Sequence, residues 1–456
     1  MNIVVIGLGK VGLEVVEQLT AEGHSVTVAD IDARKVDTVL GIYDTVGVVG
    51  SATDHKVLKE ANCGNADLVI ALTDNDEMNL TCCLMSKKLG AKNTIARARK
   101  PEYNLGIHLI REDLGLSLCI NPERETAREI ARILKFPLAK NVEPFAKGKV
   151  ELIEYVATKE SPLCGKTVND VFAKMKNTVL ICGVQRGGEM HIPYGNFLIE
   201  EDDILMLIAA PVRMSAFFRE AGIKTTGVHD VIIIGGGTTT YYLSELLTKQ
   251  HLNVTIIEND PATAESIAER IPEATVILGD GTSQQILEEE GLRDADALCC
   301  MTGIDEENII ASMYASTLSQ KIKTITKINR TELTHIVKPL EVGSVVNPKK
   351  LAAYQILKYV RAKQNSEGTD VLSLYKLADG KAEALEFPVT ELHPEMQNVP
   401  LSELNIRPDA IVASINRHGT IITPRGSDVL LKGDTVIVVT TRSGLDSIDD
   451  ILEIEE

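Results

Sequence analysis

The chain repeats itself, and this limits its possible folds more than any other feature. A glycine loop, Gly7-Leu8-Gly9-Lys10-Val11-Gly12, follows the apolar run Ile3–Ile6, and a related loop, Gly235-Gly236-Gly237, follows Val231–Ile234. Asp30 ends VTVAD after the first loop, and Glu258 ends VTIIE after the second. Further on, Ala66-DLVIALTDNDEMN returns as Ala295-DALCCMTGIDEEN, and Asn121-Pro122 returns as Asn347-Pro348. The stretch from Gly183 (GVQRGGEMHIPYG) is echoed from Ser414 (SINRHGTIITPRG). Landmarks that recur in one order at matching intervals describe an A-B-A-B chain, and self-similarity is settled before other readings.

The expected architecture is therefore α/β: two Rossmann-like doubly wound parallel-sheet domains, each followed by a small α+β domain. The boundaries read as 1–135, 140–222, 228–362 and 371–456. In the first domain, Ile3–Ile6 is apolar throughout, as a central parallel strand covered on both faces must be. Val11, Val15, Val16 and Leu19 then keep helical spacing. A helix after Asn121-Pro122 is expected to close the unit. The smaller domains carry strand-like runs broken by Gly187-Gly188 and Pro193-Tyr194-Gly195, which are turn signals. A polar joint at 363–369 precedes the last module, and the acidic end through Glu455 and Glu456 reads as a solvated helix face.

Bulk properties exclude several functions. A net charge of −18 repels phosphate backbones and speaks against nucleic acid as a partner. Trp is absent and aromatics make up only 4%, so platforms for stacking bases are not expected. No apolar run reaches the roughly 18–20 residues that span a bilayer. The N-terminus leads straight into a strand, so a cytoplasmic location is expected, at most peripheral to a membrane through a partner. The eight cysteines include the pairs Cys82-Cys83 and Cys299-Cys300 inside apolar stretches, which reads as buried free thiols.

The chemistry sits at the first loop. Gly7 makes the tight turn, Gly9 lets backbone amides approach a pyrophosphate, and Gly12 allows close helix–strand packing. The helix that starts at Lys10 and Val11 adds partial positive charge. Asp30 suits the ribose hydroxyls and repels a 2′-phosphate, favouring NAD(H), ATP or ADP over NADP(H). Further contacts are expected from other strand ends, where open sheets bind ligands: Ser51, Ala52 and Thr53, then Leu72 and Thr73. Asp76 and Glu77 read as helix-capping residues. Arg97 shares a strand face with Arg99 and could hold phosphate through its planar fork, although a surface arginine pair fits the residues equally well.

The second loop keeps Gly235, Gly237 and Glu258, but Thr240 stands at the third glycine position and Lys327 replaces Arg97. A β-branched side chain at Thr240 is expected to push helix and strand apart, leaving weak binding or a degenerate scaffold. For catalysis the residues offer little. The nine histidines form no cluster, and Tyr354-xxx-Lys358 reads as a helix-surface pair rather than a dehydrogenase dyad. An NAD-dependent oxidoreductase with a duplicated fold is the alternative, and a standalone ligand-sensing scaffold is a third reading.

Together the two loops, Asp30, Gly50-SATD, the Ala66 stretch, Ile95-ARARKPEY and Asn121-Pro122 resemble the TrkA family, the peripheral nucleotide-binding subunits of Trk-type potassium uptake systems. Each A-B unit is similar to an RCK domain. The resemblance implies a regulatory subunit without catalysis, binding NAD(H), or alternatively ATP or ADP. It implies contacts from backbone around Gly7–Val11, from Asp30 to ribose and from Arg97 to phosphate. It also implies a homotetrameric ring on the inner face of a membrane-embedded, TrkH-like potassium-translocating subunit.

Overall fold

The computed structural model describes all residues except 137–138, 174, 176–178, 224–226, 320, 331, 338–339, 341, 366–370, 443 and 454–456. Glu455 and Glu456 and most of the 363–369 joint thus lie outside the described residues.

The first domain alternates strictly: β1 (Asn2–Ile6), α1 (Lys10–Ala21), β2 (Ser25–Asp30), α2 (Ala33–Ile42), β3 (Val46–Val49), α3 (His55–Glu60), β4 (Leu68–Ala71), α4 (Asp76–Leu89), β5 (Asn93–Arg97), α5 (Pro101–Ile110), β6 (Leu118–Ile120) and α6 (Pro122–Lys135). Its sheet is parallel with order β3-β2-β1-β4-β5-β6. The connections run outward from β1 in both directions, so a crevice opens where β1 and β4 end. The apolar run predicted as a central strand is β1, and Ile3, Val4, Val5 and Ile6 are all buried. Val11, Val15, Val16 and Leu19 form the buried stripe of α1.

A small module follows, with β7 (Ala139–Phe145), β8 (Val150–Val156), α7 (Val168–Phe172), β9 (Leu180–Arg186), β10 (Glu189–His191), β11 (Ile204–Ala209) and α8 (Pro211–Glu220). The pattern then restarts: β12 (Asp230–Ile234), α9 (Thr238–Thr248), β13 (Asn253–Glu258), α10 (Pro261–Arg270), β14 (Thr275–Leu278), α11 (Gln284–Glu289), β15 (Ala297–Cys300), α12 (Asp305–Leu318), β16 (Lys323–Lys327), α13 (Leu333–Val337), β17 (Ser344–Val346) and α14 (Pro348–Asn365). The last module holds β18 (Ser373–Leu377), β19 (Ala382–Pro388), β20 (Ala410–Arg417), β21 (Thr420–Ile422) and β22 (Thr435–Thr440). The second parallel sheet, β14-β13-β12-β15-β16-β17, repeats the first strand for strand. The small modules form five-stranded antiparallel sheets, β10-β9-β11-β8-β7 and β18-β19-β22-β20-β21.

Like associates with like. One compact unit combines Met1–Lys135 with Val228–Leu357, and the other combines Phe136–Gly227 with Lys358–Glu456.

In the first unit, α6 does not close its own fold as expected. Its stripe Ala127, Ile130 and Leu134 enters the core of the second fold with Val231, Ile233, Tyr242, Leu243 and Leu247. An apolar stripe at helical spacing demands cover without specifying which sheet supplies it, and burying Ile130 and Leu134 is worth about 1.5–3 kcal/mol each. A polar latch fixes the contact. Asn121 Nδ2 donates to the Tyr242 hydroxyl at 3.0 Å, and that hydroxyl donates to the Arg99 carbonyl at 3.2 Å. Because Asn121 Nδ2 also donates to the same carbonyl at 3.1 Å, Tyr242→Phe leaves no acceptor bare. It is expected to cost about 1 kcal/mol, read as a lower urea midpoint with an unchanged slope.

The second unit is held by reciprocal contacts. Phe145 and Tyr375 pack with ring centroids 4.1 Å apart and planes tilted by 51°. Lys149 Nζ donates to the Gly419 carbonyl in the other module's hairpin, and Lys381 Nζ donates to the Gly188 carbonyl in return. All eight cysteines are free, and Cys82, Cys83, Cys299 and Cys300 are fully buried. Burial pushes the thiols of Cys82 and Cys300 up to about 12, so they are inert packing groups.

Candidate functional site at the two glycine loops

The first loop is shaped by three glycines with different physical duties. Gly7 has φ +97°, and its N–H donates to the Ala29 carbonyl at 2.8 Å. A Cβ there would lie 2.6 Å from the Thr73 nitrogen and 2.7 Å from the Leu72 carbonyl carbon. At Gly12 a Cβ would lie 2.1 Å from the Gly7 oxygen, so turn and helix meet backbone to backbone. Gly9, the N-cap of α1, is different: its φ is −71° and a Cβ would meet nothing within 4 Å. The loop is thus packed at Gly7 and Gly12 and faces open space at Gly9.

Asp30 is 7% exposed and belongs to the loop itself. Its Oδ2 accepts from the Leu8 amide at 2.6 Å and its Oδ1 from the Asp32 amide at 2.9 Å, with Lys35 Nζ 3.7 Å away. A carboxylate has about four acceptor positions, so capacity for a sugar hydroxyl remains beside these duties. Leu8, Val11, Ala52 and Leu72 have buried side chains, so only their backbones can meet a ligand. Lys10 is exposed. Ser51 and Thr53 hydroxyls lie 3.2 Å apart in the turn after β3.

Arg97 ends β5 beside this crevice. Its Nη2 donates to the Thr73 carbonyl at 2.5 Å, while its Nε is buried with no partner. Burial, and then the neighbouring Arg99, lower its proton affinity, so a negative group would be favoured here. Arg99 lies 3.6 Å from Asp76, away from Arg97's contact. Asp76 departs from the capping role expected of it. The N-cap of α4 is Asn75, and Asp76, 2% exposed, accepts from the Arg99 and Lys100 amides at 2.8 and 3.0 Å. Glu77, in contrast, holds Lys100 and the Tyr103 hydroxyl at the surface.

One structural residue was overlooked. Asn79 is fully buried; its Oδ1 accepts from the Thr73 amide at 2.8 Å, and its Nδ2 donates to the Thr73 and Arg97 carbonyls at 3.0 and 2.9 Å. It braces the two strand ends of the crevice. The signal was available, since Asn79 closes the Ala66 motif and returns as Asn308 with the same bonds to Thr302 and Lys327.

The second fold reproduces the frame. Glu258 accepts from the Gly236 amide and from the Asp260 amide, as Asp30 does. A cavity of about 450 Å³ is lined by Gly235, Gly237, Glu258, Asp280, Thr302, Glu307 and Lys327 among others. Thr240 does not force helix and strand apart as expected. Its hydroxyl donates to the Gly235 carbonyl at 2.5 Å, and a Cβ on Gly235 would clear Thr302 by 3.1 Å, against 2.6 Å at Gly7. The β-branched residue is accommodated by that hydrogen bond across the turn. Lys327 Nζ donates to the Met301 carbonyl at 2.7 Å.

Lys358 donates to the Tyr375 hydroxyl and lies over that ring, so it serves the small-module unit. Among the described residues no group of His, Cys, Asp and Glu could hold a metal ion, and no helix is long and apolar enough to cross a membrane.

Comparison with known proteins follows the same A-B-A-B plan. The TrkA-N domain family matches residues 3–122 and 231–348, and the TrkA-C domain family matches 152–222 and 384–453. The chain is 30% identical to the Trk system potassium uptake protein TrkA of Halomonas elongata, over 96% of this chain and 93% of that protein. It is 28% identical to a TrkA homolog of Methanosarcina mazei, over 98% and 99% of the two chains. A solved structure of the GsuK channel bound to NAD shares the fold, with a TM-score of 0.64, 19% identity, and coverage of 96% of this chain and 76% of that one. With both domain families present twice, in alternation along nearly its whole length, the chain belongs to the TrkA family of Trk potassium uptake proteins.

Proposed function

We propose that this chain is a nucleotide-sensing regulatory subunit of a Trk-type potassium uptake system. It binds NAD(H), or ATP or ADP, at the first glycine loop and works on a membrane-embedded, TrkH-like potassium-translocating partner. The observations that carry the reading are the unfilled space at Gly9, the N-cap of α1, and the buried, unpartnered Nε of Arg97 at the end of β5. A helix N-terminus and a guanidinium together are suited to phosphate. Family membership supports the transport role, and the NAD held by the GsuK channel supports the ligand class.

The coupling route is physical. A nucleotide anchored at Asp30 and Arg97 bears on strand ends that Asn79 ties together. Arg99, two residues beyond Arg97, is latched through its carbonyl to Tyr242 on α9 of the second fold. Occupancy of the first crevice therefore favours one arrangement of the paired folds, and a ligand shifts such an equilibrium only by its differential affinity for the two states. Assembly as a homotetrameric ring, peripheral on the inner membrane face, is part of the proposal. Leu109 on α5 and Ile336 on α13, 82% and 63% exposed on corresponding helices of the two folds, support further association.

Gly9→Asp is the sharpest test. A Cβ at Gly9 has no protein atom within 4 Å, so the variant should melt close to the parent, while its carboxylate brings a negative charge to the N-cap proposed to hold phosphate. Titration calorimetry with NAD, NADH, ATP and ADP should show binding to the parent and at least a tenfold loss in the variant, with nucleotide-dependent potassium uptake lost as well. An isotherm matching the parent's would remove the site. Asp30→Ala should also weaken binding, but it strips acceptors from the Leu8 and Asp32 amides and so loosens the loop.

A further inference from the structure

The outer edge of the first parallel sheet is apolar, and the second sheet does not repeat this. Among the described residues β3 pairs with β2 alone, so its other side is an open edge. Val46 on that strand and Ile42 at the end of α2 are 62% and 66% exposed, and Leu40 and Val49 are exposed beside them. Helix and strand share this surface, because a Cβ on Gly47 would lie 2.9 Å from Leu40 Cδ1. Alternation along β3 then turns Val49 to the same face as Leu40. In the second fold the places of Leu40, Ile42 and Val46 fall to Ala268, Arg270 and Thr275, and only Leu278 stays large and apolar. Arg270 is engaged elsewhere, 3.6 Å from Glu102. Open edges are normally blunted by Lys, Pro or a bulge, since they invite pairing with another strand. Val46-Gly47-Val48-Val49 carries none of these.

Charge around the edge selects the partner. Asp37, one turn before Leu40 on α2, and Asp44, between Ile42 and Val46, are both exposed. The cations at the start of α2 are already engaged: Arg34 lies 3.3 Å from Asp32, and Lys35 lies 3.7 Å from Asp30. On the opposite face α3 shares a core with Val48 through Val57 and Leu58. There the exposed Asp54, Lys56, Lys59 and Glu60 balance in charge. The α2 side of the strip is therefore the acidic one. A second copy of this chain is a poor occupant. Two identical edges pair as antiparallel strands about an axis normal to the sheet, which sets α2 beside α2 and acid beside acid. A segment with Lys or Arg flanking apolar residues is complementary, and the cytosolic segments of membrane proteins carry that excess of Lys and Arg.

We infer that the β3–α2 edge of the first fold is the docking surface for a cytosolic segment of the membrane-embedded partner, which adds as a strand beside β3 with its basic side chains towards Asp37 and Asp44. The inference rests on the transport reading above and assigns the partner contact to one of the two folds.

Binding of the full chain to the potassium-translocating subunit in nanodiscs of neutral lipid tests it. The variants are Val46→Lys, Asp37→Asn combined with Asp44→Asn, and Leu278→Lys. Val46→Lys should melt with the parent and lose about tenfold or more in affinity, since Lys both blunts an edge and repels a basic segment. The double Asn variant, confined to exposed carboxylates, should lose about threefold at low salt and show a flatter salt dependence. It decides the matter if Val46→Lys melts early. Leu278→Lys, on the matching edge of the second fold, should bind like the parent. Unchanged binding by Val46→Lys and the double Asn variant, or an equal loss in Leu278→Lys, would remove this edge from the contact. Self-association lost in Val46→Lys with partner binding intact would make it an interface between copies. Parent binding to empty anionic nanodiscs that Val46→Lys loses would make it a lipid surface, and either result overturns the assignment. A parent that does not bind the subunit at all would instead sink the transport reading.

Discussion

Gly7→Ala should unfold the first parallel-sheet domain at temperatures where Gly9→Ala leaves it intact. The left-handed φ of +97° costs an L-residue roughly 1–2 kcal/mol. The added methyl would also sit 2.6 Å from the Thr73 nitrogen, and relieving overlap with backbone costs about 1–3 kcal/mol more. A combined loss of about 2–5 kcal/mol is a large part of the stability of a typical domain. At Gly9 the methyl meets open space and φ is ordinary, so its cost is expected to be about 1 kcal/mol or less, and any loss of ligand there is a loss of approach. Paired chemical melts of the two variants decide the matter. Equal midpoints would mean that the turn at Gly7 gives way more easily than its contacts with Leu72 and Thr73 indicate.

Asp203→Ala should be as damaging to the small modules. Asp203 is fully buried and accepts from Arg186 Nε at 2.8 Å, Arg186 Nη2 at 2.7 Å and the Glu200 amide at 2.8 Å. Removing the carboxylate takes the acceptor from Arg186 Nε and from the Glu200 amide at once, while Arg186 keeps the Leu198 carbonyl and Glu200. Breaking a buried pair from one side costs about 3–5 kcal/mol, and about 2–4 kcal/mol is expected here because Arg186 remains one-third exposed. Asp434 repeats the arrangement with Arg417 and the Leu431 amide, so Asp434→Ala should match it. The two losses should add, since the pairs share no partner. Limited proteolysis that releases the parallel-sheet unit intact from either variant would confirm where the damage falls. A shift in melting temperature of under a degree would show that solvent already supports Arg186.

The sheets were legible because their periodicity is extreme. Ile3–Ile6 and Val231–Ile234 leave no polar face, and a strand apolar on both sides has to lie in the middle of a layered fold. The destination of α6 was not legible, because Ala127, Ile130 and Leu134 specify a buried stripe without naming its cover. Similar limits applied at the site. The spacing of Asp30 pointed to a sugar but could not reveal that the Leu8 and Asp32 amides already use both oxygens. Asn79 was visible only as the last letter of a repeated motif, since a buried carboxamide joining two strand ends has no local signature. Thr240 departs from its expectation because the volume of a β-branched side chain says nothing of its hydroxyl's reach to the Gly235 carbonyl.

The crossing of α6 into the neighbouring fold has a historical consequence. Two identical chains exchanging that helix would form a symmetric pair, and symmetry would force every substitution to appear twice. Once the copies were joined in a single polypeptide, position 123 could become acidic while position 349 became basic. Fusion thus freed the twin crevices to differ side chain by side chain, as Ser51 against Asp280 and Arg97 against Lys327 already do, something no homodimer of the ancestral half could have done.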